Sequence, residues 1–293
     1  MPDLAERQYE LGGVVFGDLT TVQCDDVDVG DVARRVGDRD SAGSDGIQFG
    51  LDYHDGRSIA FELWTDTTTA TDARSAWATL RTAWNGDQVR SISRAVTPLR
   101  MHLPGSDTVV VYGRPRRMTP ASQRSRADGV VELVADFQTA DRAFYADTEQ
   151  ERTLTLLPNL GGGLMVPFTP PVTLQAVSNS NSTMATNNGD LPTWPLITFH
   201  GPITNPSVEW VATGSRLTLQ TTLTTGQAVT VDTRPWARTA LRDDGASLAG
   251  ALRGPRLSEF TLPTGSTQIA FRGQDPTGTS SAVVAWRDAY STP

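Results

Sequence analysis

Three histidines, His54, His102 and His200, and one cysteine, Cys24, are the softest potential metal ligands in this 293-residue chain. No two histidines stand four residues apart, the spacing that places both imidazoles on one helix face. A lone cysteine excludes an internal disulfide and a cysteine-based zinc cluster. The acidic run Asp25 to Asp31, DDVDVGD, alternates like a calcium loop, but Val29 replaces the oxygen ligand expected before Gly30, and Val36 stands where the bidentate glutamate belongs. The run reads as a strand that turns Val27 and Val29 inward and its aspartates outward. No metal is expected.

Covalent and acid–base chemistry fares no better. All 25 cationic side chains are arginines, which removes the P-loop lysine, Schiff-base lysines and lysine general bases. No G-x-S-x-G elbow occurs, and LGGGLMVP lacks the dinucleotide-binding order of glycines. Two carboxylates would suffice for glycoside hydrolysis, yet nothing selects a pair among 33. No catalytic residue and no cofactor are therefore expected. The densest charge lies in GRPRRMTPASQRSRAD, where Arg114, Arg116, Arg117, Arg124 and Arg126 precede any acid. Three readings stand: a solvated loop, an arm that docks on an acidic neighbour, and a nucleic-acid patch, which the lack of stacking aromatics and the net charge of −8 disfavour.

The elements that would position these residues are mainly strands. SIAFELW alternates, with Ile59, Phe61 and Leu63 on one face, and Asp55-Gly56 before it is a hairpin signal, so strand, turn, strand is expected. One helix is expected at about residues 71–85: Ala73, Trp77, Leu80 and Trp84 recur at helical spacing, Asp72 can cap its start, and Asn85-Gly86 stops it. Its tryptophan stripe predicts packing on a sheet. The Gly- and Pro-rich NLGGGLMVPFTPP marks a seam, giving an N-terminal domain 1–158, a linker 159–171 and a C-terminal domain 172–293. Past the seam RLTLQTTL, QAVTVDT, EFTLP, TQIAFRG and SAVVAWRDAY are regularly spaced strands, the pattern of an antiparallel sandwich or jelly roll. Pro192, Pro195, Pro202 and Pro206 surround the apolar run Leu196 to Phe199, reading as corners around the opening strand of that domain, at an edge, with Gly201-Pro202 and Asn205-Pro206 turning the chain. No apolar run is long enough for a membrane span, and the start lacks the basic and apolar regions of a secretory signal, so synthesis in the cytoplasm is expected.

The order of these features resembles a family. FGDLTT, then RDSAGSDGIQFGLDYHDGRSIAFEL, the amphipathic helix, and VVELVADFQTADRAFYAD together look like the N-terminal domain of phage distal tail proteins, with Arg142 where that family tends to have proline. ATNNGDLPTWPLITFHGPITNPSVEW, GQAVTVDTRPW, LPTGSTQIAFRG and VAWRDAY resemble the family's second half, with Gln268 where asparagine is usual. The resemblance covers nearly the whole chain and rests on shared order rather than on any one motif. It implies two antiparallel β-sandwich domains, the first carrying the helix, the second galectin-like. It further implies a homohexameric ring at the virion's tail tip, in long non-contractile-tailed phages, that joins the tail tube protein to the tail hub and lies near the tape-measure protein.

The leading expectation is thus a structural virion protein rather than an enzyme. The alternative is a carbohydrate-binding module or adhesin that recognises host glycans, because galectin-like sandwiches host sugar sites and Trp194, Trp210 or Trp236 would stack on a pyranose, with His200 nearby in sequence. A hydrolase of cell-wall polymer is a third reading without a motif. Neither sequence-specific nucleic acid nor a membrane is an expected partner.

Overall fold

The computed structural model describes residues 3–122, 128–156 and 181–293. Arg124, Arg126 and the expected linker 159–171 lie outside the described residues. The chain divides into two compact units, residues 1–147 with 290–293, and residues 148–289. Both are built from antiparallel strands. The seam precedes the Gly/Pro-rich stretch: Gln150–Thr155, placed in the first domain by the sequence reading, pairs throughout with Ser281–Trp286, and its Leu154 enters the second core. The last four residues return to the first unit. A strand's own sequence shows which face is apolar but not which distant strand completes its hydrogen bonds.

In the first unit the strands lie in the order Val14–Gly17, Gln8–Leu11, Thr97–His102, Thr108–Ser122, Glu132–Thr139, Ser58–Thr65 and Val22–Asp28. Gly12 and Gly13, both at positive φ, form the two-residue turn that opens this sheet. Ile59, Phe61 and Leu63 are buried as their alternation required, and Val27 and Val29 pack against the same core. Phe61 sits edge-on to Tyr9, Phe16 and Trp84 at ring separations of 5.2, 5.5 and 5.8 Å. Cys24 belongs to this core, and burial pushes its thiol up to about 12. The helix runs Ala70–Trp84 and buries Ala73, Leu80 and Trp84, while Trp77 is half-buried. Thr69 rather than Asp72 caps it: the Thr69 hydroxyl accepts from the Asp72 backbone N–H, and Asp72 occupies the first turn, where its charge suits the helix dipole. Gly86, at φ 60°, ends it.

The expected hairpin at Asp55-Gly56 does not form. Tyr53–His54 pairs with Arg34–Arg35 and not with Ser58–Thr65. Gly56 is instead required by close approach, because a Cβ there would lie 2.0 Å from the Thr139 carbonyl oxygen.

The second unit is a sandwich of two sheets. One runs Gln150–Thr155, Ser281–Trp286, Leu196–His200, Ala228–Asp232, Thr239–Arg242; the other runs Ser182–Asn187, Gly265–Gln274, Ile203–Trp210, Ser215–Leu219, Leu252–Arg253. Phe199 from the first stacks on Phe271 from the second, 6.2 Å apart, within a core drawn from both sheets. Leu196–His200 is neither the opening strand nor an edge: Ser281–Trp286 and Ala228–Asp232 flank it on both sides. Proline is accordingly absent from it. Gly201-Pro202, a cis peptide, is the corner that carries the chain from one sheet to the other. Asn205-Pro206 makes no turn; it lies within Ile203–Trp210 at a register shift, with Asn205 at φ 51°, so the proline's missing N–H falls where the ladder is already interrupted.

Two polar knots tie these units internally. Asn187 donates to the Leu191 carbonyl and accepts from Gly189 and Ala289 N–H groups, and a Cβ on Gly189 would lie 1.8 Å from the Ala289 oxygen. That accounts for Asn187 and Gly189 in the ATNNGDLP stretch. In the first unit Arg100, 4% exposed, meets Glu10 across the strand pair at 2.5 Å and grips Asp147 through Nε at 2.8 Å and Nη2 at 2.6 Å. The Asp147 pair holds the guanidinium above its ordinary pKa. Arg100→Ala should therefore lower unfolding free energy by about 3 kcal/mol, since it strands the buried Glu10 carboxylate and removes a partner of the part-exposed Asp147; urea denaturation at pH 7 measures it.

Candidate functional site

The expected arginine arm is a strand. Arg114, Arg116 and Arg117 lie in Thr108–Ser122, paired with Glu132–Thr139. Arg114 is committed inside the unit, donating to the Ala95 carbonyl at 2.7 Å and to the Ile92 carbonyl at 2.5 Å. Arg117 reaches Asp136 at 3.2 Å while staying mostly exposed. Arg116 is exposed and has no partner among the described residues.

The candidate sugar-stacking residues do not gather. Trp210 is 2% exposed and stacks on Phe260 at 4.7 Å, so it is a core residue and offers no face to a ligand. Trp194 is half-buried and donates to the Ser258 carbonyl. It precedes Leu196–His200, whereas the exposed His200 closes that strand at its other end. Trp236, half-buried, has the Arg234 guanidinium over its ring at 5.6 Å, and Arg234 is held by Asp232. Among the described residues no group of three or more His, Cys, Asp or Glu is placed to hold a metal ion.

The surface that sequence reasoning missed lies between the aspartate-rich strand and SIAFELW. Residues 31–55 form an arm with two short ladders, Arg34–Arg35 with Tyr53–His54 and Arg39–Asp40 with Ile47–Gln48. Between them Gly50 passes so close to Gly37 that a Cβ would sit 2.1 Å from the Gly37 oxygen. The arm exposes Val36, Ile47, Phe49, Leu51 and Tyr53, with Phe49 at 86% and Leu51 at 75%. Ile47, Phe49, Leu51 and Tyr53 recur at every second position, the mark of a strand that covers something. IQFGLDY carries that alternation in the sequence, but period alone does not separate a strand that pairs with SIAFELW from one that projects beside it.

A groove of about 560 Å³ lies in the same unit, beside the end of the helix. Its lining includes Gly12, Val14, Thr82, Ala83, Gly86 and Val89.

No family model matches this chain, and no curated protein matches it in sequence. Solved structures do match in fold. The Dit protein (gp 19.1) of SPP1, described as a paradigm of the hub adsorption apparatus in phages that infect Gram-positive hosts, is 15% identical with a TM-score of 0.59, over 96% of this chain and 98% of that one. A chain of the phage P2 baseplate in its activated conformation with calcium is 11% identical with a TM-score of 0.54, over 95% and 97%. The same baseplate with strontium gives 11% and 0.53, over 96% and 98%. The fold is that of phage tail-hub proteins.

Within this fold, the HDGRSIAFEL and TADRAFYAD stretches meet at one buried arginine. Arg57 lies over the Phe144 ring at 4.3 Å and donates to the Arg142 carbonyl at 2.8 Å, and burial holds its guanidinium below the ordinary value. Only the backbone of Arg142 takes part in that bond, so the position tolerates a residue other than proline. Asp141 accepts from the Tyr145 hydroxyl at 2.5 Å and from the Ala143 N–H at 3.3 Å, yet burial outweighs both and pushes its carboxyl up to about 6. A folded-state pKa above the unfolded value of about 3.9 means that the folded state binds the proton more tightly. This group's contribution is therefore most favourable below about pH 4 and is lost as pH rises through 6. Relative to Asp141→Asn, the wild-type chain should gain stability as pH falls from 7 to 4, measured as paired urea midpoints; a difference independent of pH would contradict this.

Proposed function

We propose that the chain is a structural component of the phage tail tip, a ring of copies that joins the tail tube to the hub and host-recognition apparatus of a long non-contractile tail. The observation that carries this reading is the extent of the likeness: 95–96% of this chain follows 97–98% of hub and baseplate chains, through both units. A module shared with unrelated proteins would match one unit only. The unpartnered apolar arm supports the reading too, because a monomer gains nothing from leaving Phe49 and Leu51 in water.

On this reading the copies form a homohexamer, and the partners are the tail tube protein, the tail hub or tail-associated protein and the tape-measure protein. The protein resides in the virion, and its mechanism is docking without catalysis. A galectin-like role for the second unit would have to rest on Trp236 and Trp194, since Trp210 is enclosed.

Immunogold labelling of purified phage particles with antibody against this chain should mark the distal tip of the tail. Native mass spectrometry of the chain, alone and with the tube protein, should show a six-copy species. Label along the tail shaft or on the capsid would overturn the placement, and a strict monomer that binds glycans would favour the carbohydrate-binding alternative.

A further inference from the structure

The arm and the groove are two halves of one contact. We propose that Phe49 and Leu51 of one copy seat in the groove of the next copy, between Val14 of the opening hairpin, Ala83 in the last turn of the helix and Val89 in the short helix Asp87–Arg90 that follows it. The inference rests on the ring reading and names the surfaces that build it.

Three observations support the pairing. First, the arm has no core of its own: its ladders are two residue pairs each, and its large apolar side chains all face water. Such a ribbon is marginal by itself and is completed by covering its apolar side. Second, the groove is a recess kept open by small residues. Gly12 and Gly86 both hold φ near +60°, where a side chain is strained, and a Cβ on Gly12 would stand 3.6 Å from that of Ala83. The groove is an open recess of about 560 Å³ whose apolar lining is Val14, Ala83 and Val89, with threonines, Asp87 and Gln88 around them.

Third, the charges complement. Residues 31–55 hold six aspartates against three arginines, so the arm is acidic. The groove borders the arginine-bearing strand: a Cβ on Gly86 would lie 3.1 Å from the Pro115 ring, and the next residue is Arg116, exposed and without a partner among the described residues. Asp87, the acid in the groove lining, is offset by Arg90 at 2.7 Å. Arg116 thus stands at the rim on which an acidic arm lands. Long-range attraction of this kind orients the encounter, and the apolar insertion holds it.

Arm and groove are different surfaces of one unit, and none of the described residues covers either. Their contact is heterologous, each copy giving its arm to one neighbour and receiving an arm from the other, the geometry that closes into a ring when the rotation between copies permits.

The test uses the full chain in two single-substitution forms, Leu51→Cys and Ala83→Cys, with the native Cys24 buried and unreactive. Mixed and treated with a short bismaleimide, they should give a covalent dimer that neither form gives alone. A dimer from Leu51→Cys alone would mean that arms pair with each other and would overturn the proposal. Separately, Phe49→Ser with Leu51→Ser, both exposed and so neutral to folding, should raise the concentration for half-assembly at least tenfold. Assembly unchanged in that variant, with no mixed crosslink, would sink this contact while leaving the ring reading intact. A wild-type chain that stays monomeric at every concentration, with and without the tube protein, would remove both.

Discussion

Phe61 is the side chain on which the first unit turns. It projects from the middle of Ser58–Thr65 and meets Tyr9, Phe16 and Trp84 edge-on, so one ring joins the opening hairpin, the central sheet and the helix. Edge-to-face contacts of this type add roughly 0.5–1.5 kcal/mol each beyond the area they bury, and their geometry is directional. The helix is therefore seated at a defined angle, and its last turn comes to rest beside Gly12 and Val14. The groove is a consequence of that seating. The same strand emerges from the arm, so the position of the arm's root follows from the core as well.

The second unit solves a different problem, how one chain supplies two facing sheets. Gly201-Pro202 is the corner at which the chain leaves one layer for the other. At Gly201 a Cβ would lie 2.4 Å from the Thr224 carbonyl oxygen, so backbone meets backbone there and no larger residue fits. The prolines of this segment bound regular strand or fall at a bulge, never in an unbroken ladder. Phe199, two residues before that corner, stacks on Phe271 of the facing sheet and fills the space between the layers.

The buried charges of the first unit hold its fold together. Arg100 between Glu10 and Asp147, and Arg57 over Phe144, each hold distant stretches of the first unit together through short charge-assisted bonds or a cation–π contact. Arginine suits this work because its planar fork satisfies two partners at once.

The sequence by itself determined the local features. The alternation of Ile59, Phe61 and Leu63, the helix between Thr69 and Gly86, the inward Val27 and Val29 and the β-rich character of both units follow from side-chain period, which is a property of neighbouring residues. Only the tertiary structure decided the rest. Whether Asp55-Gly56 would turn, whether Leu196–His200 would lie at an edge, which unit would take Gln150–Thr155, and whether Trp210 would face a ligand or Phe260 all depend on partners far away in the chain. The arm shows the limit best. IQFGLDY carries the same period as a core strand, and period alone does not tell whether the surface that will cover it belongs to the same chain.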